Sequence, residues 1–355
     1  MVQEACARLG AVTGKGLSAL IREEFGVRWV ALAMLSFLVA SFGTTASEFA
    51  GIAAASELFG APRLASVPLA ATLVFLLVLR GSYRLVERVF LAMTVVFFAY
   101  IATAFMTTSD WTPVLRAAVV PTFRLETGYV FMLITLIGTT ITSYMQFFLQ
   151  ATVIEKGVTA RELRLTRADV VISAIFADLV AFFIIVTNAQ TLHPAGIQID
   201  TAADAARALE PLAGPYAQAL FAIGLIGASL LAASVLPLSS AYVVTEAFGW
   251  ERGISRRFHE APVFLGLYSG MLFLGAAVVL IPGMPLVVLM LASQFIDGIQ
   301  LPIILVFIVL LAGSRAVVGN HASGRLVRAI QWITAVVLGV LSLLLLVLTT
   351  TGFGG

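Results

Sequence analysis

Gly138-Thr139-Thr140-Ile141-Thr142-Ser143-Tyr144-Met145-Gln146 interrupts an otherwise apolar stretch running from about residue 129 to 153. The core of a bilayer offers backbone groups no water, so a helix is the default there. This stretch works against that default. Thr loses rotamer freedom in a helix, and Ser and Thr hydroxyls compete for backbone hydrogen bonds. Glycine, threonines and a serine gathered at mid-depth predict a membrane helix that breaks and offers carbonyls and hydroxyls to an ion. Discontinuous helices at mid-depth are where secondary transporters hold substrates and coupling ions.

The rest of the composition agrees with a chain dissolved in lipid. Of 355 residues, 60% are apolar and 11% charged, against about 25% charged in soluble domains, and the mean hydropathy is +1.04. The net charge of +2 resides in the loops and points to no nucleic acid. The single Cys6 excludes an intrachain disulfide and a Cys-based metal site. His193, His259 and His321 all fall in expected loops, which argues against a His-rich zinc or copper site.

About 20 apolar residues cross a bilayer. On that rule nine spans are expected, at about 28–58, 63–80, 87–107, 127–151, 169–189, 215–245, 261–281, 285–312 and 329–351. The first and sixth are long enough to tilt, break or extend beyond the membrane. Residues 1–9 lack the basic start and long apolar core of a signal peptide and read as the tail of a helix. Of the 21 Lys and Arg, only Arg63, Arg116, Arg124 and Arg207 fall on one side, and Arg8 lies in the N-terminal stretch. All the others, including Arg80, Arg84, Arg252, Arg256 and Arg257, fall on the opposite side. By the positive-inside rule the N-terminus is then inside and the C-terminus outside, in the cytoplasmic membrane.

Ionisable groups at membrane depth are costly and face an interior or a water-filled path. Glu48 lies in the polar stripe Gly43-Thr44-Thr45-Ala46-Ser47-Glu48-Phe49-Ala50-Gly51, either as an ion or proton relay or as a carboxyl bonded to a neighbouring helix. Gln294 and Asp297 share one helical face in a segment that Gly298 and Pro302 make easy to distort, which suggests a pathway role. Asp178 has no such polar company and suggests a structural or gating role. Gln146 and Gln150 continue the polar line beyond the expected break. Ser229, Ser234, Ser239 and Ser240 read as close-packing residues between helices. No GxxxxGK[ST] loop and no soluble segment to carry one are present, so no ATP is expected. Nor do paired aspartates, a Ser/His pair or a His-Glu-x-x-His motif occur at membrane depth, so the chain is not read as an enzyme.

Several spaced segments carry a resemblance. They are Gln3-Glu4-Ala5-Cys6-Ala7-Arg8-Leu9-Gly10 with Val12-Thr13-Gly14-Lys15, and Glu48-Phe49-Ala50-Gly51-Ile52-Ala53 with Leu58-Phe59-Gly60-Ala61-Pro62. Arg80-Gly81-Ser82-Tyr83-Arg84 with Glu87-Arg88, the stretch quoted first, and Gln300-Leu301-Pro302 complete the set. Over essentially its whole length the chain resembles the Nramp family of divalent-metal transporters, nearest its magnesium-transporting, Nramp-related branch. The resemblance implies an all-α integral membrane protein with the LeuT-like inverted-repeat fold, of which this chain would hold helices 2 to 11 of eleven. Residues 1–126 would be the remainder of the first repeat, 127–312 the second, and 329–351 the extra C-terminal helix. It also implies a metal ligand set of the Thr139 carbonyl, the Thr142 side chain and Gln294.

Three departures from the family pattern stand out. The family's Met-Pro-His motif falls on Thr142, Ser143 and Tyr144, so its sulfur ligand is replaced by an oxygen. Oxygen-only sites suit Mg²⁺, Ca²⁺ and Mn²⁺, and Mg²⁺ keeps several waters and asks for few protein ligands. The family's acidic pair survives only as Glu48, with Thr45 in the other position, and Tyr144 replaces the histidine. The family's first helix, which carries an Asp-Pro-Gly-Asn break and a carboxylate ligand, has no counterpart in these residues.

The expected function is passage of a divalent cation, Mg²⁺ or Mn²⁺, by alternating access, the metal being cargo and no cofactor being needed. A carrier of a small organic solute or amino acid with the same fold, and a non-transporting or structural remnant, are the alternatives.

Overall fold

The computed structural model describes residues 1–79, 83–251, 253 and 258–351. Arg80-Gly81-Ser82 of the motif quoted above, and Arg252, Arg256 and Arg257 of the basic side, lie outside them.

The chain opens on α1 (Val2–Thr13), which Gly14 closes at φ +66°, and α2 (Leu17–Phe25). The α1 stretch is helical and largely buried, Ala5, Cys6, Ala7 and Leu9 being fully so. A 32-residue rod, α3 (Val27–Leu58), follows, then α4 (Arg63–Leu79) and α5 (Tyr83–Thr94). A single 3₁₀ turn joins α5 to α6 (Phe98–Thr107), and α7 (Thr112–Val119) is a short loop helix. The segment quoted first forms α8 (Thr127–Thr140) and α9 (Ser143–Glu155). Beyond it come α10 (Leu163–Thr191), the short α11 (Ala202–Ala206) and α12 (Glu210–Ala213), and a second 32-residue rod, α13 (Ala217–Phe248). The chain finishes with α14 (Pro262–Val279), α15 (Leu286–Gly313), α16 (Arg315–Val318) and α17 (Arg325–Thr351).

Among the described residues, seven helical stretches are long and apolar enough to cross a membrane, and Arg63–Leu79 and Leu91–Thr107 are shorter apolar helices. Together they fall on the nine expected spans. The two longest expected spans are continuous helices, each about 48 Å at 1.5 Å per residue. α15 runs as one helix through Gly298 and Pro302, the two residues that make it easy to distort. Gly298 serves there for close approach to a neighbour.

α3 is the axis of the packing, with α13, α14 and α15 laid against it. One apolar core gathers around Phe37, Phe147, Leu301 and Leu305, where α1, α2, α9 and α15 meet α3. A second forms around Phe49, Phe264, Tyr268 and Leu272, where α4, α13 and α14 meet it. α10 packs on α6 and α1 and leaves Ile172, Ile175, Phe176 and Leu179 exposed, as lipid-facing residues are.

At one end of the bundle Arg8 is buried at 3% exposure. It donates to the His321 carbonyl and, at 2.8 Å, to Ser323 Oγ, tying α1 to the segment before α17. Its Nε lies 3.3 Å from Glu4 Oε1, an ion pair without hydrogen-bond alignment, since the same Nε has no hydrogen-bond partner. Arg167 reaches Glu4 from α10 at 2.6 Å.

Candidate metal pathway

The polar stretch breaks the helix where expected. Ile141 (φ −123°, ψ 67°) ends α8, its N–H bonded to the Ile137 carbonyl, and Thr142 (φ −67°, ψ 142°) is extended. The break leaves the carbonyls of Gly138, Thr139 and Thr140 without the N–H partners that a continuous helix would supply. The carbonyl end of a helix carries partial negative charge, so the end of α8 attracts a cation. Thr142 is the N-cap of α9, yet its hydroxyl makes no capping bond. Its Oγ1 is buried and has no hydrogen-bond partner. An unpaired buried hydroxyl costs about 1–3 kcal/mol, and a bound cation would relieve that cost.

The break is held against α15 by the absence of side chains. A Cβ on Gly138 would lie 2.2 Å from the Gln294 carbonyl oxygen and 2.5 Å from Gly298 N, and one on Gly298 would lie 2.5 Å from the Ile134 carbonyl oxygen. Gln294 therefore touches the residue preceding Thr139 through its backbone, while its amide Nε2 donates to Ser293 Oγ at 3.4 Å. One turn along α15, Asp297 is buried at 1% exposure. Its Oδ2 accepts from Thr44 Oγ1 at 2.6 Å and its Oδ1 from Ser143 Oγ at 3.4 Å. Asp297 thus joins α3, α15 and the first residue of α9.

Beyond the break, Gln146 Nε2 donates to the Thr142 carbonyl at 3.4 Å, and Cys6 Sγ donates to Gln146 Oε1 at 3.6 Å. This fully buried glutamine couples α1 to the break. Gln150 makes a similar tie, its Nε2 donating to the Lys15 carbonyl at 2.8 Å. A cavity of about 520 Å³ lies between α9, α13 and the end of α5, with Tyr144, Phe148, Glu155, Thr94, Ser239 and Tyr242 in its wall. It extends from the second residue of α9 to that helix's far end. Among the described residues no three His, Cys, Asp or Glu side chains converge as a ready-made metal cluster.

Residues 1–348 match the family model "Natural resistance-associated macrophage protein-like". The chain belongs to the Nramp family. One similar Nramp relative is the divalent metal cation transporter MntH of Ralstonia nicotianae, 29% identical, covering 97% of this chain and 79% of that protein. Another is its namesake in Deinococcus radiodurans, 27% identical over 95% of this chain and 77% of that protein. Among solved structures, a manganese transporter from Eremococcus coleocola superposes with a TM-score of 0.77 at 21% identity, over 96% of this chain and 76% of that one. The fold is accordingly the LeuT-like, all-helical Nramp fold.

In this Nramp chain the residues that the sequence resemblance sets against the family's Met-Pro-His motif fall at the start of α9. Thr142 is the N-cap and Ser143 and Tyr144 are the first two helical residues. The Tyr144 ring stacks on Phe148 at 5.8 Å and faces the cavity. Thr139 is exposed, with the end of α8 open beside it. Thr45 is buried on α3. Its hydroxyl donates to the Ser41 carbonyl at 2.8 Å, and its methyl lies where a Cβ on Gly275 would be 3.0 Å away. Glu48 faces the Ser229 hydroxyl on α13. Asp178 lies exposed on α10, away from Thr142. Thr44 and Ser143, the two donors to Asp297, lie inside the polar stripes quoted above. Nothing in the sequence of either stripe pairs them with that carboxyl.

Proposed function

We propose that this chain carries a divalent metal cation across the cytoplasmic membrane by alternating access, without ATP, and that Mg²⁺ or Mn²⁺ is its cargo. The observation that carries this reading is the Thr142 hydroxyl, buried and unpaired at the mid-span break beside the carbonyl end of α8. The Thr139 carbonyl and Thr142 hydroxyl would hold the ion, with the Gln294 side chain turning in from α15. All three donors are oxygens, which suits a hard, partly hydrated ion. The similar proteins named divalent metal cation transporters and the manganese transporter of the same fold support the class of cargo.

The basic side of the chain sets the orientation, with the N-terminus inside and the C-terminus outside. In that orientation the cavity beside α9 faces the cytoplasm, so this conformation would release its ion inward. Proteoliposomes holding the protein should take up Mg²⁺ or Mn²⁺ with saturable kinetics. Absence of uptake for every divalent ion tested would overturn the reading.

A further inference from the structure

The donors named above are all neutral, whereas the ion carries two charges. Burying charge without a partner is expensive, and Mg²⁺ is usually held through one or two carboxylates. A carboxylate is in place beside the break. We propose that Asp297 supplies fixed negative charge that balances the cation at Thr142, reaching it directly or through one of its waters. This deepens the transport reading and rests on it.

Three observations support the assignment. First, Asp297 is buried and hydrogen-bonded to Ser143, the residue next to the unpaired Thr142 hydroxyl. Second, none of the ion pairs among the described residues involves Asp297. Its two partners are neutral hydroxyls, and a buried carboxylate so placed gains most from a cation. Third, its hold on Thr44 is releasable. The Thr44 hydroxyl has one proton and two acceptors in reach, Asp297 Oδ2 at 2.6 Å and the Ala40 carbonyl at 3.0 Å. Turning the proton to Ala40 frees Oδ2 without leaving the hydroxyl unpaired. The other intramembrane carboxyls are placed elsewhere: Glu48 faces Ser229 on α13, and Asp178 lies on the exposed side of α10.

The test is uptake of Mg²⁺ and Mn²⁺ by the full chain in proteoliposomes, with melting followed in detergent. Asp297→Asn keeps the shape and a hydrogen-bonding group but removes the charge. It should melt close to the parent and raise KM for both ions at least tenfold. Ser143→Ala and Thr44→Val leave the charge and should raise KM less than Asp297→Asn does. A folded Asp297→Asn protein with parental KM overturns the assignment. Should that variant not fold, Asp297→Glu decides, since moving the carboxylate by one methylene should change the Mg²⁺ to Mn²⁺ preference at least threefold. An unchanged preference overturns the assignment while leaving the transport reading intact. A parent protein that takes up no divalent ion overturns both.

Discussion

Gly138 and Gly298 meet without a side chain between them, so that a Cβ on the first would lie 2.8 Å from the Cα of the second. The neighbours that would be struck include backbone atoms on both sides, with Ile134 Cγ2 beside Gly298 as well, and neither helix can turn aside without moving the break. Small residues at such crossings let membrane helices approach closely. Gly138→Ala and Gly298→Ala should each destabilise the protein by about 1–3 kcal/mol, the usual cost of overpacking, read as a lower melting temperature in detergent. Gly270 in α14 has open space at its Cβ position. Gly270→Ala should be neutral or stabilise by about 0.5–1 kcal/mol. Equal losses at all three sites would refute the close crossing.

Thr142 separates stability from function. Its hydroxyl is buried and unpaired, so Thr142→Val should leave the melting temperature unchanged or raise it, while saturable uptake falls at least tenfold. A variant that melts lower and transports normally would assign the hydroxyl to the fold.

Thr142→Met restores a soft sulfur ligand at the same point. Thioether favours softer metals over Mg²⁺, so Cd²⁺ should compete more strongly with Mg²⁺ in this variant than in the parent. Unchanged competition would remove Thr142 from the ligand set.

Glu48 and Asp297 are both intramembrane carboxyls, and their surroundings predict different roles. Glu48→Gln keeps a partner for Ser229 and lies away from the break, so its KM for Mg²⁺ or Mn²⁺ should stay within about threefold of the parent, a shift of about 0.7 kcal/mol or less. A tenfold rise would place Glu48 on the ion's route.

Arg8 should be among the costly polar deletions. Arg8→Ala leaves Ser323 Oγ and the His321 carbonyl without their donor, while Glu4 keeps Arg167. Because Glu4 retains one cation, the loss should fall below that for breaking an isolated buried pair, at about 2–3 kcal/mol. Thermal melting of the single and Arg167→Ala double variants would measure the coupling.

The spans and the break were legible because each is a local property. Apolar length shows in any window, and Thr139, Thr140, Thr142 and Ser143 compete with their own helix wherever it packs. What joins distant segments was not legible. Thr44 and Asp297 are 253 positions apart, and nothing in either stripe says which hydroxyl will point at which carboxyl. Glycines 138 and 298 read separately as helix weakeners, yet Gly298 sits in a continuous helix and serves a crossing. Thr45, by contrast, satisfies its hydroxyl locally, on the Ser41 carbonyl of its own helix.

The break also sets a mechanical ratio. α9 is a half-helix of 13 residues, about 20 Å long, that lies along α1 with Gln146 joined to Cys6, and the extended Thr142 is where it would pivot. A turn of about 10° at that pivot would carry the Glu155 end through about 3.5 Å, while the Thr142 hydroxyl would hardly move. With the ion held at Thr142 as proposed, its seat would be at the fulcrum and the doorway at the tip. The cavity would then open by angstroms while the donors at the break stay together.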